Sequence, residues 1–256
     1  MKVPAVHAQH APPSVLHGKN NGEMESMAPP YFLSRQAYVC VANDVVFILD
    51  LTTGKYLSLD KGKAAGLGAS IMGWPVESDG RAAPTVLRSL IDRGLVTNDP
   101  DSGKSATPSA IELPTHWIRE SEPRGCPDIG VRELRRFMAS VAYAALSKKF
   151  SPLKYTVART HERKQAVQGS QADVGKLASL VRVFDWLRPL AFKKTNECFL
   201  YCLALSEFLS KYGIFPSWVF AVRADPFVAH CWLQYDDQVL TDIPFNLRRM
   251  VPILVL

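Results

Sequence analysis

Three residue types that together perform acyl transfer follow one another in the last quarter of the chain. Cys198 stands near the start of "TNECFLYCLALSEFLSKYG", residues 195–213, His230 in the middle of "PFVAHCW", and Asp242 at the end of "QVLTD". The first stretch has helical spacing, with Leu200, Leu203 and Phe208 on one face and Asn196 placed to cap it. Cys198 then falls in the first turn, where unpaired backbone N–H groups and the helix dipole favour an anion. A thiolate is such an anion, and the same N–H groups can receive an oxyanion during acyl transfer. Asp242 follows His230 by 12 residues, enough for a strand, a tight turn and a return strand. That geometry assigns Cys198 as nucleophile, His230 as the base that takes its proton, and Asp242 as the group that orients the ring. Each residue also has a plainer reading: Cys198 as a small buried hydrophobe, His230 as a hydrogen-bonded core histidine.

The residues around this set divide in the same way. Cys202 lies four positions after Cys198 on the same helical face and reads as core. Adjacent strand residues point to opposite faces, so His230 and Cys231 do not combine with the helix cysteines into a metal site, and no metal is expected. Phe227 reads as shaping the cleft entrance and Trp232, two residues beyond His230, as walling the site; ordinary packing serves either equally.

These residues need a framework. The 256 residues are 47% hydrophobic and 21% charged, a globular composition for one or two domains. No apolar run reaches the ~18 residues of a membrane span, and no signal peptide opens the chain, so a cytoplasmic protein is expected. Five scattered cysteines (40, 126, 198, 202 and 231) fit reduced thiols better than a disulfide framework. The net charge of +6 suits an anionic partner but does not establish nucleic-acid binding, and none is expected. No internal repeat, Gly-rich phosphate loop or zinc-ribbon spacing is present.

The expected organisation is a disordered tail (1–30), a small domain (31–98), a linker (99–112) and a second domain (113–256). In the first domain Tyr38–Val41, Val45–Leu51 and Lys55–Leu59 read as a three-stranded meander, with Gly54 supplying a positive backbone angle. Helices are expected around Lys63–Met72 and in "PTVLRSLIDRG", where Val86, Leu87, Leu90 and Ile91 share a face. Strands followed by helices give a small winged-helix-like unit. "DPDSGKSATPSA" is polar and rich in Pro, Gly and Ser, hence the linker. The second domain opens with a helix whose stripe is Val131, Leu134, Phe137, Met138, Val141, Ala145 and Leu146, and another with Val174, Leu177, Val181, Phe184 and Leu187. After Gly213 come strands in "PSWVFAVRA", "FVAHCWLQY" and "QVLTD". The fold class is α+β: a winged-helix-like domain followed by a cysteine peptidase domain of papain or transglutaminase-like type, whose cysteine lies on a helix and whose histidine and acid lie on successive strands.

The block "CFLYCLALSEFLSKYG", "VFAVRADPFVAHCWL" and "VLTD" resembles the transglutaminase-like leader peptidases of lasso-peptide biosynthesis. Gly213 lies 15 residues after Cys198, and His230 lies 17 after Gly213, as in that family. Its signature G-V-R-x-x-P-F-x-A-H-A-W is matched except that Ala221 replaces the Gly and Cys231 stands where Ala is usual. "VFILDLTTGKYLSLD" and "LIDRGLV" in turn resemble the precursor-recognition element typified by the pyrroloquinoline-quinone chaperone. The two resemblances imply one function. The first domain grips the leader of a ribosomal precursor peptide, the second removes that leader through a Cys-His-Asp acyl-enzyme, and the core passes to an ATP-dependent, asparagine-synthetase-like cyclase. They further imply that the leader adds as a strand beside Lys55–Leu59 and leans on the helix around Thr85–Arg93, with Tyr56, Leu57, Leu59, Leu87 and Leu90 as contacts. The chemistry requires no cofactor; coupling to the cyclase leaves a role for ATP open. Two alternatives stand beside this one: a non-catalytic adaptor that binds peptide or nucleic acid, and an enzyme that transfers an amide instead of hydrolysing it.

Overall fold

The computed structural model describes residues 31–118, 125–165, 172–192, 197–241 and 247–256. The expected tail, Asn196 and Asp242 lie outside the described residues.

The meander forms as expected. β2 (Ala37–Ala42), β3 (Val45–Asp50) and β4 (Lys55–Asp60) pair antiparallel in the order β2-β3-β4. The β2–β3 connection places Asn43 and Asp44 at φ 47° and 62°, the left-handed region that Asn and Asp tolerate in two-residue hairpins. Gly54 takes φ 67° in the next turn. Side chains alternate along each strand, and both faces of this sheet are covered. Val39, Val46, Ile48 and Leu59 pack with Ala64, Leu67, Ile71, Trp74 and Leu90 of the N-terminal half. Cys40, Ala42, Phe47 and Leu49 join the cluster of Phe137, Phe184, Trp218, Phe220 and Leu254 from the C-terminal half. Double burial explains why "YVCVA" and "VVFIL" read as nearly continuous apolar runs. Each large apolar side chain so buried contributes about 2 kcal/mol.

Around the meander, β1 (Phe32–Ser34) pairs antiparallel with β5 (Val96–Thr97) and with β6 (Gly103–Lys104). β6 lies inside the stretch expected as a linker. Farther along that stretch Ala106 is buried, its N–H on the Met72 carbonyl (2.8 Å), and Ser109 Oγ donates to the Ile253 carbonyl (3.2 Å). Backbone pairing asks little of side-chain type, which is why polarity there concealed it. The helix expected over 63–72 is only one short turn, α1 (Lys61–Ala65), capped by Asp60. Gly66 and Gly68 are where residues 76–83 cross closely: a Cβ on Gly68 would come within 2.6 Å of the Ser78 nitrogen. α2 (Pro84–Asp92) follows, with Pro84 in its first turn and Gly94 at φ 68° just beyond it.

Among its described residues the C-terminal half has four α-helices and a five-stranded sheet. α3 (Val131–Phe150), α4 (Leu153–Gln165) and α5 (Val174–Leu187) precede α6 (Cys198–Ser210). The sheet has the order β11-β8-β9-β10-β7, built from β7 (His116–Trp117), β8 (Ser217–Arg223), β9 (Val228–Tyr235), β10 (Gln238–Val239) and β11 (Val251–Val255). All of its pairs are antiparallel except β10–β7, which is parallel. α4 and β11 were not anticipated. The polar α4 has a weak apolar stripe, and β11 carries Pro252, tolerated on an edge strand where no donor is missed.

α6 is buried nearly all round, between the other helices and the sheet. Its Phe208 packs on Phe184 (centroids 5.4 Å apart), and buried Glu207 is held by the Arg163 guanidinium at 2.5 Å. α3 turns a different face inward from the one its apolar periodicity marks. Phe137, Ser140, Ala144 and Ser147 are buried, whereas Val131, Leu134, Met138 and Leu146 are exposed. Three of the four buried α3 residues are small, and the helix packs against α6. Ala144→Leu is therefore expected to destabilise the fold by about 1–3 kcal/mol through overpacking. Met138→Lys, on the stripe the periodicity would bury, should change stability by no more than about 0.5 kcal/mol. Urea denaturation of the two variants checks this; the opposite ranking would put the apolar stripe back inside.

Candidate active site

Cys198 is the first residue of α6. The capping position is Glu197, whose side chain makes no capping hydrogen bond, while its carbonyl accepts from the Tyr201 N–H (3.0 Å). The helix thus opens with first-turn N–H groups that no side-chain cap occupies, beside the Cys198 thiol. β9 presents His230, 9% exposed, opposite Ala221 of β8. The His230 imidazole lies within electrostatic reach of the Cys198 thiol and favours its ionised form. Cys198 and His230, 32 positions apart in sequence, are thus brought near one another where the start of α6 packs on β9. Pairing of β10 with β9 continues to Leu240, whose N–H reaches the Leu233 carbonyl (2.9 Å), and to Thr241, whose hydroxyl accepts from the Leu233 N–H (3.3 Å).

A second β9 residue reaches the same thiol. Cys231 also lies close enough to act on the Cys198 thiol, although strand alternation was expected to turn it away from the histidine's neighbours. Cys202, fully buried one turn along α6, donates from its Sγ to the Cys231 carbonyl at 3.5 Å. The Cys198 thiol is consequently pushed up to about 12, first by the neighbouring Cys231 thiol and then by burial, with His230 pulling it back down. A thiol lowered by the helix N-terminus was the expectation, and here the neighbouring sulfur and the dry surroundings outweigh it. At neutral pH Cys198 therefore rests as a thiol. Burial likewise holds the Cys231 thiol well above the usual range. Among the described residues no group of three or more His, Cys, Asp or Glu is placed to hold a metal ion, and no helix is long and apolar enough to cross a membrane.

The remaining sequence-derived residues fall in three places. Tyr56 of β4 faces the C-terminal half; burial raises its phenol, and Cys231, Cys198 and Cys40 lie within electrostatic reach. Phe227, in the turn between β8 and β9, is 51% exposed, stacks on Phe47 (5.4 Å) and meets Tyr56 edge-on (6.0 Å). Leu57, Leu59, Leu87 and Leu90 lie together in the N-terminal core, with Leu90 wholly buried and Leu57 and Leu87 partly so. Trp232 is wholly buried in a separate cluster with Val219, Ala221, Val239 and Met250, its indole N–H on Gln234 Oε1 (2.9 Å). Two neighbours of the site were passed over in the sequence. Cys231 was visible as a departure from the signature, and Phe47 was visible only as one apolar residue in a strand.

Removing the Cys231 thiol should release the first of the causes that raise Cys198. In Cys231→Ala the pH midpoint for alkylation of Cys198 by iodoacetamide is expected to move to lower pH, because a lower thiol pKa leaves more thiolate at any given pH. Peptide mass spectrometry of the alkylated Cys198 across a pH series measures this. An unmoved or higher midpoint would show that Cys231 does not hold the thiol up.

No curated protein and no solved structure matches the chain. Residues 137–255, which include α6, Cys198, β9 and His230, match the family model described as the Transglutaminase-like superfamily, so the C-terminal half carries a transglutaminase-like superfamily domain.

Proposed function

We propose that this protein is a cysteine peptidase that removes the leader from a ribosomally made precursor peptide, with lasso-peptide precursors as the substrate class. The observation that carries this reading is the placement of the His230 imidazole within electrostatic reach of Cys198 at the start of α6. In the reaction His230 takes the Cys198 proton as the thiolate attacks the carbonyl at the leader–core junction. The first-turn N–H groups of α6 receive the oxyanion. The leaving amine, the new N-terminus of the core, collects the proton from the imidazolium, and water then hydrolyses the leader acyl-enzyme. Asp242 is the residue proposed to orient the ring. These proton transfers need no cofactor. ATP enters at the cyclase that accepts the core, the proposed partner, and the site of action is the reducing cytoplasm.

The N-terminal sheet supports the same reading as a winged-helix-like recognition element. β4 ends the order β2-β3-β4, which leaves its outer edge available for strand addition by a leader. Leu57 and Leu59 on β4 share a core with Leu87 and Leu90 on α2, while Tyr56, next to Leu57, faces the cysteines. A leader lying along β4 would thus run past the catalytic residues.

Cys198→Ala and His230→Ala are each expected to lower the rate of leader removal by about 10³-fold or more, while a labelled leader still binds. Asp242→Asn should be severe but leave residual activity. Mass spectrometry of precursor cleavage, with fluorescence anisotropy for leader binding, tests this. Core release by Cys198→Ala at near the wild-type rate would sink the assignment.

A further inference from the structure

Three aromatic rings from distant parts of the chain meet at the turn that leads into β9. Phe47 on β3 is 4% exposed and stacks on Phe227. Tyr56 on β4 meets the edge of the same Phe227 ring and lies within electrostatic reach of Cys198. The partner of both, Phe227, is a large ring half in water at a turn three residues before His230. Burial governs this corner: it is the first cause raising Tyr56, and it alone pushes the nearby Cys40 thiol up to about 12.

We propose that the N-terminal sheet completes the catalytic cleft, with Phe47, Tyr56 and Phe227 forming an aromatic wall beside Cys198 that receives an apolar side chain adjoining the scissile bond. This inference rests on the peptidase reading and adds to it a specificity element built from both halves. Ring faces and edges hold an apolar side chain by burial and dispersion. A charged side chain against the same rings would lose hydration with nothing to replace it, so the wall rejects it. Tyr56 serves through its ring, which makes it distinct from a leader contact on the strand edge. The N-terminal half then takes part in choosing the cleavage site as well as in capturing substrate.

The test uses the full chain and needs no precursor. Cys198 alkylation is timed with iodoacetamide and with two peptide chloromethyl ketones that differ only in the residue next to the reactive group, leucine or glutamate. The wild type is expected to favour the leucine ketone by about tenfold or more, the scale set by one apolar group in a hydrophobic pocket. Tyr56→Ala and Phe227→Ala should bring that ratio towards one when each ketone rate is divided by the same variant's iodoacetamide rate, and Tyr56→Phe should keep the wild-type ratio. The half-exposed position of Phe227 makes its variant a safe companion should Tyr56→Ala disturb the fold. A wild type that takes iodoacetamide at Cys198 without preferring either ketone overturns the wall and leaves the peptidase reading standing, as does a preference that survives both alanine variants. A wild type whose Cys198 takes none of the three reagents overturns both.

Discussion

Everything near the candidate site depends on one sheet being buried twice. The β2–β3–β4 meander gives alternate residues to two cores: Val46 and Ile48 to its own helices, Phe47 and Leu49 to the C-terminal half. A single strand, β3, thereby ties the packing of one half to that of the other. Moving the sheet by one residue in register would exchange the two sets and fill each core with side chains shaped for its opposite. The relation between β4 and β9, and so between Tyr56 and Cys198, is fixed by close packing and not by a tether. Pairing of β6 with β1 and the seating of Ser109 on β11 point the same way.

Much of this was legible because it follows from local chemistry. The three strands of the meander, their turns, and the start of α6 at a cysteine are set by alternation, by residues that tolerate positive φ, and by helical spacing. What the sequence hid lay in contacts between distant segments. α3 carries seven apolar residues at helical spacing, yet of these only Phe137 is fully buried, and the rest of its buried face is Ser140, Ala144 and Ser147, small side chains that suit close packing of helices. The helix expected over 63–72 stops at Ala65 because two glycines are needed where another stretch of backbone crosses. Neither requirement can be seen without the partner segment.

The site was legible to a similar depth. Cys198 and His230 were picked out by type, order and offset, and the fold places the imidazole within electrostatic reach of the thiol. The electrostatics went the other way from the local argument. A first-turn position lowers a thiol pKa when water or a cation shares the site; here a second sulfur and burial dominate. That reversal comes from Cys231, 33 positions downstream, and no property of the helix itself could have announced it.

A raised thiol changes what the histidine must accomplish. In a site with a preformed thiolate–imidazolium pair, the charge is already separated and any accessible electrophile can react. With Cys198 protonated at rest, charge separation is deferred until something stabilises the imidazolium and the developing oxyanion together. A substrate that displaces water from the cleft and places its carbonyl at the first turn of α6 does both, since the N–H groups there act on charge that appears only during attack. Reactivity is then conditional on a correctly seated acyl group. In the proposed mechanism the surfaces that would seat it, β4 with Tyr56 and the turn with Phe227, belong to different halves of the chain, so the doubly buried sheet would bear on that chemistry as directly as Cys198 and His230.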